Sequence, residues 1–434
     1  MTWLELRRHL RNAELDSWSP WIRHPARSVA RLLPLRIKER VNRAAGRPVF
    51  DLSFYLQFQP NSLPQINVAV QPIEYPPPAA GVKRVAFLTP HLGIGGAEEV
   101  LLGIASTLHG RGFETILIAT HSRDDRWRER WNGNVAHLYD LAGSVPVEHR
   151  VQEICSIVAG WKCHFALLQN SLFGYAALPH LRRLSAGTKL IDIVHNIDES
   201  WDLLAATAQA AGCLDVRVAI SDLIRRRMIA AGTPADRIRL LPSGVDLDRF
   251  SPTPGHSTHQ VLFAGRLDPV KRPLLLVEIA GQLAALRQQR DFRFVIAGDG
   301  PEEEALRRRI RQAGRDDVFE LRGQVDDLAP LYAASDVLIL PSRSEGVPLV
   351  ILEALASARP VVASNVGGVA EALNASCGFL IDPAPGEAAA FAKALDTLLN
   401  QPELRARLGA EGRRKVEAHY DARHARAAYA GLFE

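Results

Sequence analysis

Two glutamates eight residues apart, Glu345 and Glu353, give the sequence its clearest chemical signal. They lie in Pro341-Ser-Arg-Ser-Glu-Gly-Val-Pro-Leu-Val-Ile-Leu-Glu353, where turn formers are followed by an apolar helix with Pro348 in its first turn. The free N–H groups within residues 346–350, of which Pro348 has none, predict an anion site suited to a diphosphate. Carboxylates beside such a site cannot hold phosphate, but they suit hydrogen bonds to the hydroxyls of a sugar or ribose. A capping glutamate and an unrelated surface glutamate form the alternative interpretation.

Two cations follow another apolar strand, predicted over Val261–Ala264. In Gly265-Arg-Leu-Asp-Pro-Val-Lys271, the cations Arg266 and Lys271 are five residues apart. Such a pair neutralises the two phosphates of a nucleotide-sugar and stabilises a departing diphosphate as its negative charge grows. An exposed pair of surface cations is the alternative, which the neighbouring glutamate motif makes weaker.

Glycines at a third strand end, Gly95 and Gly96, open a helix predicted over Ala97–His109. Glycine lets a ligand approach the backbone closely, and a helix N-terminus favours phosphate. Dinucleotide-binding enzymes need Gly-x-Gly-x-x-Gly, and Gly93-Ile-Gly-Gly-Ala-Glu98 fails at its last position. The nicotinamide oxidoreductases are therefore disfavoured, and a plain tight turn is the alternative to a binding loop.

One histidine, His195, ends the apolar strand predicted over Leu190–Val194. A single histidine is usually structural, but its position after a parallel strand, at the predicted cleft, favours a functional role. Asn196 and Asp198 follow it within reach of an acceptor substrate, although nothing in the sequence fixes that role.

A metal would be the other means of stabilising a diphosphate. Asp246-Leu-Asp248 matches the Asp-x-Asp pattern of metal-dependent glycosyltransferases, yet a three-residue match is common by chance and the cations already supply positive charge. We therefore predict no metal and no cofactor. The cysteines have no metal-ligand spacing and indicate a reducing compartment; they are Cys155, Cys163, Cys213 and Cys377.

Two runs of alternating strands and helices must position these residues. Unalternated apolar strands are typical of parallel sheets covered on both faces. They are predicted at Val85–Leu88, Thr115–Ala119, Phe165–Leu168, Leu190–Val194 and Val216–Ile220, and then at Val261–Ala264, Phe294–Ala297, Phe319–Gly323, Val337–Leu340 and Pro360–Ala363. The polar segment Ser251–His259 between the runs reads as a linker. The fold class is α/β, with two Rossmann-like doubly wound domains facing a cleft.

The predicted domains have the following bounds. A basic N-terminal extension with a Pro-rich connector covers 1–80, an acceptor domain 81–252, a donor domain 260–415, and a C-terminal helix packing back on the first domain 416–434.

The glutamate motif and the Gly-Arg-Leu-x3-Lys motif together resemble the family 4 retaining glycosyltransferases of the GT-B fold, of the bacterial polysaccharide or glycolipid type. The likeness covers roughly residues 82–430, and the combination is far more specific than either motif. It implies that Glu345 touches the donor sugar and that Glu353 holds the ribose hydroxyls. It also implies that Arg266 and Lys271 hold the diphosphate.

The same resemblance assigns the remaining site residues. The Gly95-Gly96 loop would meet donor phosphate and acceptor, and His195 would hydrogen-bond the donor sugar. Gly298-Asp-Gly-Pro-Glu302 resembles the family's turn beside the nucleotide, and Val325 lies where backbone atoms read the base. The predicted catalytic residues are Glu345, His195, Arg266 and Lys271. The predicted donor-binding residues are Gly95, Gly96, Arg266, Lys271, Gly298, Asp299, Val325, Glu345, Gly346, Val347, Pro348, Leu349, Val350 and Glu353.

The reaction that the resemblance implies is transfer of a hexosyl group from a UDP- or GDP-sugar to a glycan or lipid-linked acceptor, with retention at the anomeric carbon. Front-face attack through an oxocarbenium-like ion pair is the implied route, with the departing phosphate taking the acceptor's proton. A sugar-nucleotide epimerase and a non-catalytic nucleotide-sugar-binding scaffold remain as rivals. Intact motifs disfavour the scaffold, and an epimerase would need no acceptor.

The first 50 residues carry eleven Lys or Arg against four Asp or Glu, and three tryptophans, Trp3, Trp18 and Trp21. Basic residues interleaved with Trp and Leu suit an arm on an anionic membrane surface, and a helical hairpin packed on the main body is the alternative. Such an arm favours a lipid-linked acceptor, as in surface polysaccharide or lipopolysaccharide assembly. Nucleic acid is disfavoured because the rest of the chain has no basic excess. We expect a cytoplasmic enzyme that contacts the inner face of the membrane.

Overall fold

The structure, a computed structural model, describes residues 75–76, 79–121, 125–196, 210–253, 258–287 and 291–434. All of them belong to one compact unit, Val68–Glu434. The predictions made for residues 1–50, for most of the Pro-rich connector and for Asp198 lie outside the described residues.

The first sheet has seven parallel strands in the order β3-β2-β1-β4-β5-β6-β7. Every residue of β1 is buried, as expected for a strand covered by helices on both faces. The strand bounds are β1 Arg84–Thr89, β2 Glu114–Ala119, β3 His137–Asp140, β4 Phe165–Gln169, β5 Lys189–Val194, β6 Val216–Ala219 and β7 Ile238–Leu240.

The second sheet has six parallel strands in the order β10-β9-β8-β11-β12-β13. Their bounds are β8 Gln260–Ala264, β9 Arg293–Ala297, β10 Phe319–Gly323, β11 Val337–Leu340, β12 Val361–Ser364 and β13 Gly378–Ile381. All ten predicted strands are confirmed to within a residue or two at each end. The α/β class and the two parallel-sheet, Rossmann-like halves are likewise confirmed.

Three edge strands were not predicted from the sequence. β3 and β7 are the two edges of the first sheet, and β13 is one edge of the second. An edge strand has a neighbour on one side only, so its residues are less completely buried and its apolar pattern is weaker. The sequences His-Leu-Tyr-Asp and Ile-Arg-Leu show this directly.

Helices connect the strands and cover both sheets. In the first half they are α1 Gly96–Gly110, α2 Arg128–Asn132, α3 Leu141–Ser144, α4 Arg150–Gly160, α5 Leu172–Leu184 and α6 Asp222–Ala230. The second half has α7 Leu275–Leu286, α8 Glu303–Gln312, α9 Ala329–Ala334, α10 Leu349–Ala356, α11 Val369–Ala372, α12 Glu387–Asn400, α13 Pro402–His419 and α14 Ala422–Ala430. Among the described residues, no helix is both long and apolar enough to span a bilayer.

The end of the chain returns to the first sheet. The Val245 N–H donates to the Tyr420 carbonyl at 2.8 Å, and the Lys189 ammonium donates to the Leu432 carbonyl at 2.8 Å. The predicted boundary at residue 416 falls inside α13, which ends only at His419. The chain therefore crosses between the halves a few residues later than expected.

Both sheets reverse their strand order at one point, β1 beside β4 in the first and β8 beside β11 in the second. Loops diverge at such a switch, so the carboxyl ends of these strands leave a crevice where ligands bind in open α/β sheets. The predicted site motifs follow β1, β5, β8, β9 and β11. The topology thus gathers them at the carboxyl edges of the two sheets.

A carboxylate joins the halves outside this crevice. Glu371, in α11, accepts hydrogen bonds from the N–H groups of Asp222 and Leu223 at 2.8 Å each. These groups open α6 of the first half, and the Ser221 hydroxyl accepts the next N–H, from Ile224. The start of α6 is therefore capped by both halves of the protein.

The opposite, amino edge of the first sheet holds an aromatic anchor. Tyr75 stacks on Trp161 with ring centroids 4.3 Å apart. The buried Arg84 guanidinium lies over the same Trp161 ring and donates to the Pro76 carbonyl at 2.7 Å. Residues 75 and 76 are thereby fixed to the edge of the sheet where β1 begins.

Candidate active site

Two loops of the second half run side by side in backbone contact. The Gly265 N–H donates to the Ala297 carbonyl at 3.0 Å, and the Leu267 N–H donates to the Asp299 carbonyl at 2.7 Å. A β-carbon on Gly298 would lie 1.9 Å from the Gly265 carbonyl oxygen, so no side chain fits there. The Gly265 loop after β8 and the Gly298 loop after β9 are therefore held together by their glycines, as one wall of the crevice.

The Glu345 loop rests on a glycine pair that the sequence analysis missed, Gly367-Gly368 after β12. A β-carbon on Gly367 would lie 1.8 Å from the Glu345 carbonyl oxygen, and φ at Gly367 is +54°. The Gly368 N–H donates to the same oxygen at 3.2 Å. Only glycine allows this approach, and a Gly-Gly pair directly after a strand was the available sequence signal.

Lys271, in the Gly265 loop, and Glu345, in the loop after β11, form an ion pair. The ammonium nitrogen lies 2.6 and 2.8 Å from the two carboxylate oxygens, and Glu345 is buried. These residues were expected to bind phosphate and sugar separately, whereas the structure brings them into direct contact. An ammonium has three N–H donors, so a third remains for another acceptor once both carboxylate oxygens are bound.

Arg266 lies differently. Its guanidinium is largely exposed and pairs with Asp268 at 2.8 Å. The Asp268 carboxylate also accepts the N–H groups of Val270 and Lys271 at 3.0 Å each, which closes the turn between the two cations. Arg266 is thus anchored beside the loop with most of its surface open to solvent.

Glu353 lies in α10, hydrogen-bonded to a buried tyrosine. The Tyr332 hydroxyl lies 2.9 Å from the Glu353 carboxylate. Burial raises the pKa of Glu353 to about 7, against an ordinary value of 4.5, although the hydrogen bond from Tyr332 opposes the shift. Near neutral pH this carboxyl is therefore divided between its protonated and ionised forms.

The first half approaches the crevice through its glycine loop. A β-carbon on Gly96 would touch the Leu349 side chain at 3.5 Å, so the start of α1 faces the start of α10. A β-carbon on Gly95 would lie 2.2 Å from the Glu98 carboxylate, which is buried and folds back over the loop. Two helix N-termini, one from each half, therefore meet at the crevice.

His195 meets the glutamate loop through its backbone. A β-carbon on Gly346 would lie 1.9 Å from the His195 carbonyl oxygen, so glycine is required for this contact between the halves. His195 Nε2 lies 2.9 Å from the Gln169 side-chain oxygen, and both side chains are buried. Burial lowers the pKa of His195 to about 4, so the ring is neutral at physiological pH. Gln169 was missed because it ends an apolar strand and belongs to no motif.

Other predicted residues surround this centre. The Asp299 carboxylate pairs at 3.1 Å with Arg126 of the first half, a contact that no sequence pattern predicted. Val325 is partly buried against the core of the second half. The predicted anion-binding stretch leads directly into α10. Pro348 occupies the N-cap position, Leu349 and Val350 begin the helix, and Val347 precedes it.

The Asp-x-Asp match has a structural role. The Asp246 carboxylate accepts the N–H groups of Asp248 and Arg249 at 3.0 Å each, which caps a tight turn. Among the described residues, no group of three or more His, Cys, Asp or Glu side chains is placed to hold a metal ion.

The raised pKa of Glu353 predicts how stability depends on pH. The folded protein binds more protons than the unfolded chain between the ordinary pKa of 4.5 and about 7, so stability falls as pH rises through that interval. At about 1.4 kcal/mol per pKa unit, this group removes roughly 3.5 kcal/mol from the free energy of unfolding over the whole interval, most of it between pH 5 and pH 8. Urea unfolding near pH 5 and near pH 8 measures the difference.

In Glu353→Gln this contribution should vanish, and the variant should lose less stability than the wild type between the two pH values. Glu304→Gln, at an exposed glutamate early in α8, is the matched control and should keep the wild-type dependence. Identical pH dependence in Glu353→Gln and the wild type would contradict the raised pKa.

Each half of the chain matches a known family of proteins. Residues 94–249 match a family model described as Glycosyltransferase Family 4, and residues 245–415 match one described as Glycosyl transferases group 1. A D-inositol 3-phosphate glycosyltransferase of Pseudarthrobacter chlorophenolicus is 37% identical over 261 residues, which is 56% of this chain and 57% of the relative. The chain thus spans little more than half the length of that relative.

A second relative and a solved structure extend the comparison. The GDP-mannose-dependent monoacylated alpha-(1-6)-phosphatidylinositol monomannoside mannosyltransferase of Corynebacterium glutamicum is 29% identical over 281 residues, 58% of this chain and 73% of the relative. The crystal structure of Anabaena Alr3699/HepE in complex with UDP and glucose has a TM-score of 0.69 at 19% identity, covering 81% of this chain and 99% of that one. That level of identity supports the fold. The chain therefore contains a Glycosyltransferase Family 4 domain followed by a Glycosyl transferases group 1 domain, on a GT-B fold.

Proposed function

We propose that the protein transfers a hexosyl group from a nucleoside-diphosphate sugar to an acceptor hydroxyl, with retention at the anomeric carbon. The observation that carries the proposal is the Lys271–Glu345 ion pair, 2.6 Å at its shortest, at the carboxyl ends of β8 and β11. It lies one residue from Gly346, where His195 of the other half makes contact. Cation, carboxylate and histidine thus converge where the two halves meet.

The diphosphate is bound by positive charge and N–H donors alone. Lys271 gives its remaining N–H to a phosphate oxygen, and Arg266 adds a second positive charge from the same turn. The first-turn N–H groups of α10, at Leu349 and Val350, have no preceding helical carbonyl and point toward the N-terminal end of that helix. This set holds a diphosphate without a metal, and the protein is proposed to need none.

The carboxylates bind hydroxyls on either side of the diphosphate. Glu345, held by Lys271, accepts hydrogen bonds from the transferred sugar. Glu353, one helical turn into α10, accepts them from the ribose. Because both oxygens of Glu345 are engaged by an ammonium, this carboxylate is poorly suited to attack the anomeric carbon as a nucleophile.

The transfer step then follows the front-face route. The bond between the anomeric carbon and the phosphate oxygen breaks, and the acceptor oxygen forms a new bond to the same carbon on the same face. The acceptor's proton passes to the departing phosphate oxygen, so no protein base is consumed. Lys271, Arg266 and the start of α10 stabilise the phosphate charge as it develops, and Glu345 offsets the positive charge on the sugar.

A thermal-stabilisation screen tests the donor class. UDP-, GDP- and ADP-sugars should be compared with NAD as the control ligand. A donor that binds with micromolar affinity should, at millimolar concentration, add roughly 4 kcal/mol to the free energy of unfolding. Stabilisation by none of the nucleotide-sugars would contradict the proposal. Conversion of the donor to another free sugar-nucleotide without acceptor would identify an epimerase instead.

Substitutions at the ion pair test the catalytic assignment. Glu345→Gln and Lys271→Met should each lower kcat by about 100- to 1000-fold, the range seen when one preorganised electrostatic group is removed. Because the two side chains act as a unit, the double variant should lose little more than either single variant. Steady-state transfer from the donor found in the screen measures this.

Arg293→Ala removes an exposed arginine paired with Glu320 and is the matched control. It should keep wild-type turnover. Near-normal turnover in Glu345→Gln would overturn the catalytic role of the pair, and additive losses in the double variant would show that the residues act separately.

We further propose a lipid-linked or glycan acceptor of the kind used in bacterial surface polysaccharide assembly, reached at the inner face of the membrane. The support is the basic, Trp-containing stretch of residues 1–50. The printed name of one relative, a mannosyltransferase for a phosphatidylinositol monomannoside, also bears on it. Basic and aromatic side chains together favour anionic lipid surfaces.

Vesicle sedimentation tests the membrane contact. The full chain should sediment with phosphatidylserine-containing vesicles at low salt and less with phosphatidylcholine vesicles, because each basic residue near an anionic surface contributes about 1 kcal/mol. A chain that begins at Tyr75 is the control and should stay in the supernatant. Equal sedimentation of the two chains would contradict a membrane role for the first 50 residues.

A further inference from the structure

We propose that Gln169 is a positioning residue that fixes the tautomer of His195, so that His195 Nδ1 accepts a hydrogen bond from a hydroxyl of the transferred sugar. That the hydroxyl belongs to a transferred sugar rests on the proposed function. The tautomer rests on the 2.9 Å contact and on the orientation of the Gln169 amide in it.

The amide of Gln169 determines which ring nitrogen carries the proton. Its side-chain oxygen lies 2.9 Å from His195 Nε2, and both residues are buried. The structure turns the amide oxygen toward the ring, and because an amide oxygen only accepts hydrogen bonds, this orientation puts the proton on Nε2. The reversed amide would donate from its NH2 and put the proton on Nδ1, which the NMR experiment below distinguishes. A neutral imidazole has one N–H, which leaves a lone pair on Nδ1.

The surroundings indicate a role beyond packing. Within the described part of the chain, the Gln169 side chain makes one hydrogen bond, to His195, and its buried Nε2 has no partner. Buried polar groups with a structural role are normally fully paired. One such group lies nearby, where Asp192 accepts from Tyr175 at 3.1 Å and from Arg217 at 2.8 Å. Gln169 differs from Asp192 because its oxygen contacts a residue at the crevice and its amide nitrogen has no partner among the described residues.

The position of His195 indicates what its lone pair meets. The His195 carbonyl packs on Gly346, the neighbour of Glu345. His195 therefore lies in the first half directly across from the carboxylate proposed to bind the sugar. A sugar bound between them presents hydroxyls to both, and a hydroxyl is the group that donates to an imidazole lone pair. An N–H on Nδ1 would instead repel that donor.

Nitrogen NMR of histidine-labelled protein tests the tautomer directly. The ¹⁵N shifts of an imidazole separate the protonated from the unprotonated nitrogen, and the His195 signals are assigned by their loss in His195→Ala. We expect wild-type His195 to show protonated Nε2 and unprotonated Nδ1. In Gln169→Met, which keeps the side-chain length but removes the oxygen, the two tautomers should become mixed.

Kinetics should follow the tautomer. Gln169→Met should lower kcat by roughly 10- to 100-fold, the range found when an outer partner that fixes a histidine tautomer is removed from a metal site, with a smaller change in donor KM. Gln169→Glu places a buried carboxylate beside Nε2, which favours the charged imidazolium, so His195 should show both ring nitrogens protonated and the activity should fall as well. Tyr175→Phe removes a buried hydrogen bond to Asp192, in the strand that ends one residue before His195, and it should leave both readouts unchanged.

The outcomes separate this inference from the proposed function. A wild-type Nδ1–H signal, or an unchanged tautomer in folded Gln169→Met, would overturn the role of Gln169 whatever the enzyme's activity. Absence of turnover with every nucleotide-sugar would overturn the proposed function and leave the NMR result to decide the tautomer. Thermal unfolding of each variant confirms folding, and Gln169→Leu, which also lacks the amide oxygen, is the second variant if Gln169→Met does not fold.

Discussion

The ion pair between Lys271 and Glu345 is the interaction on which the geometry of the crevice depends. Removing a carboxylate and an ammonium from water is costly, and a pair of this kind persists only where close contacts hold both partners. Those contacts are visible on each side. Asp268 closes the turn that presents Lys271, and Gly367-Gly368 leave room for the Glu345 backbone. Three strand-to-helix loops are thus fixed relative to one another by one charge pair and the glycines around it.

A second constraint acts between the halves. Gly346 admits the His195 carbonyl, Gly96 faces Leu349, and Glu371 caps α6 from across the molecule. None of these contacts is a large apolar interface, and each uses backbone atoms that a side-chain substitution elsewhere leaves intact. These contacts are directional, and together they define how the two halves are placed.

The sequence predicted the interior of this protein better than its edges and its pairings. Buried parallel strands such as β1, β8 and β11 are continuous apolar runs, and the loops that follow them carry Gly95, Arg266 and Glu345 respectively. Edge strands such as β3 and β7 mix polar and apolar residues, so their pattern is lost. Contacts between distant residues were invisible for another reason: nothing at Lys271 specifies a partner 74 positions later, and nothing at Gln169 marks it as the neighbour of His195. Such pairings follow from strand order, which local patterns do not encode.

The stacking of Tyr75 on Trp161 has a practical consequence for protein design. Arg84 bridges this aromatic pair to the Pro76 carbonyl, so the first sheet's amino edge includes residues that precede β1 by almost ten positions. A shortened chain that begins at Tyr75 keeps the ring and the carbonyl that satisfy the buried guanidinium. One that begins at Lys83, where the strand pattern alone would place the cut, leaves that guanidinium short of one acceptor and exposes the indole. The place to divide this protein is therefore set by an arginine's hydrogen bonds and lies several residues before its first strand.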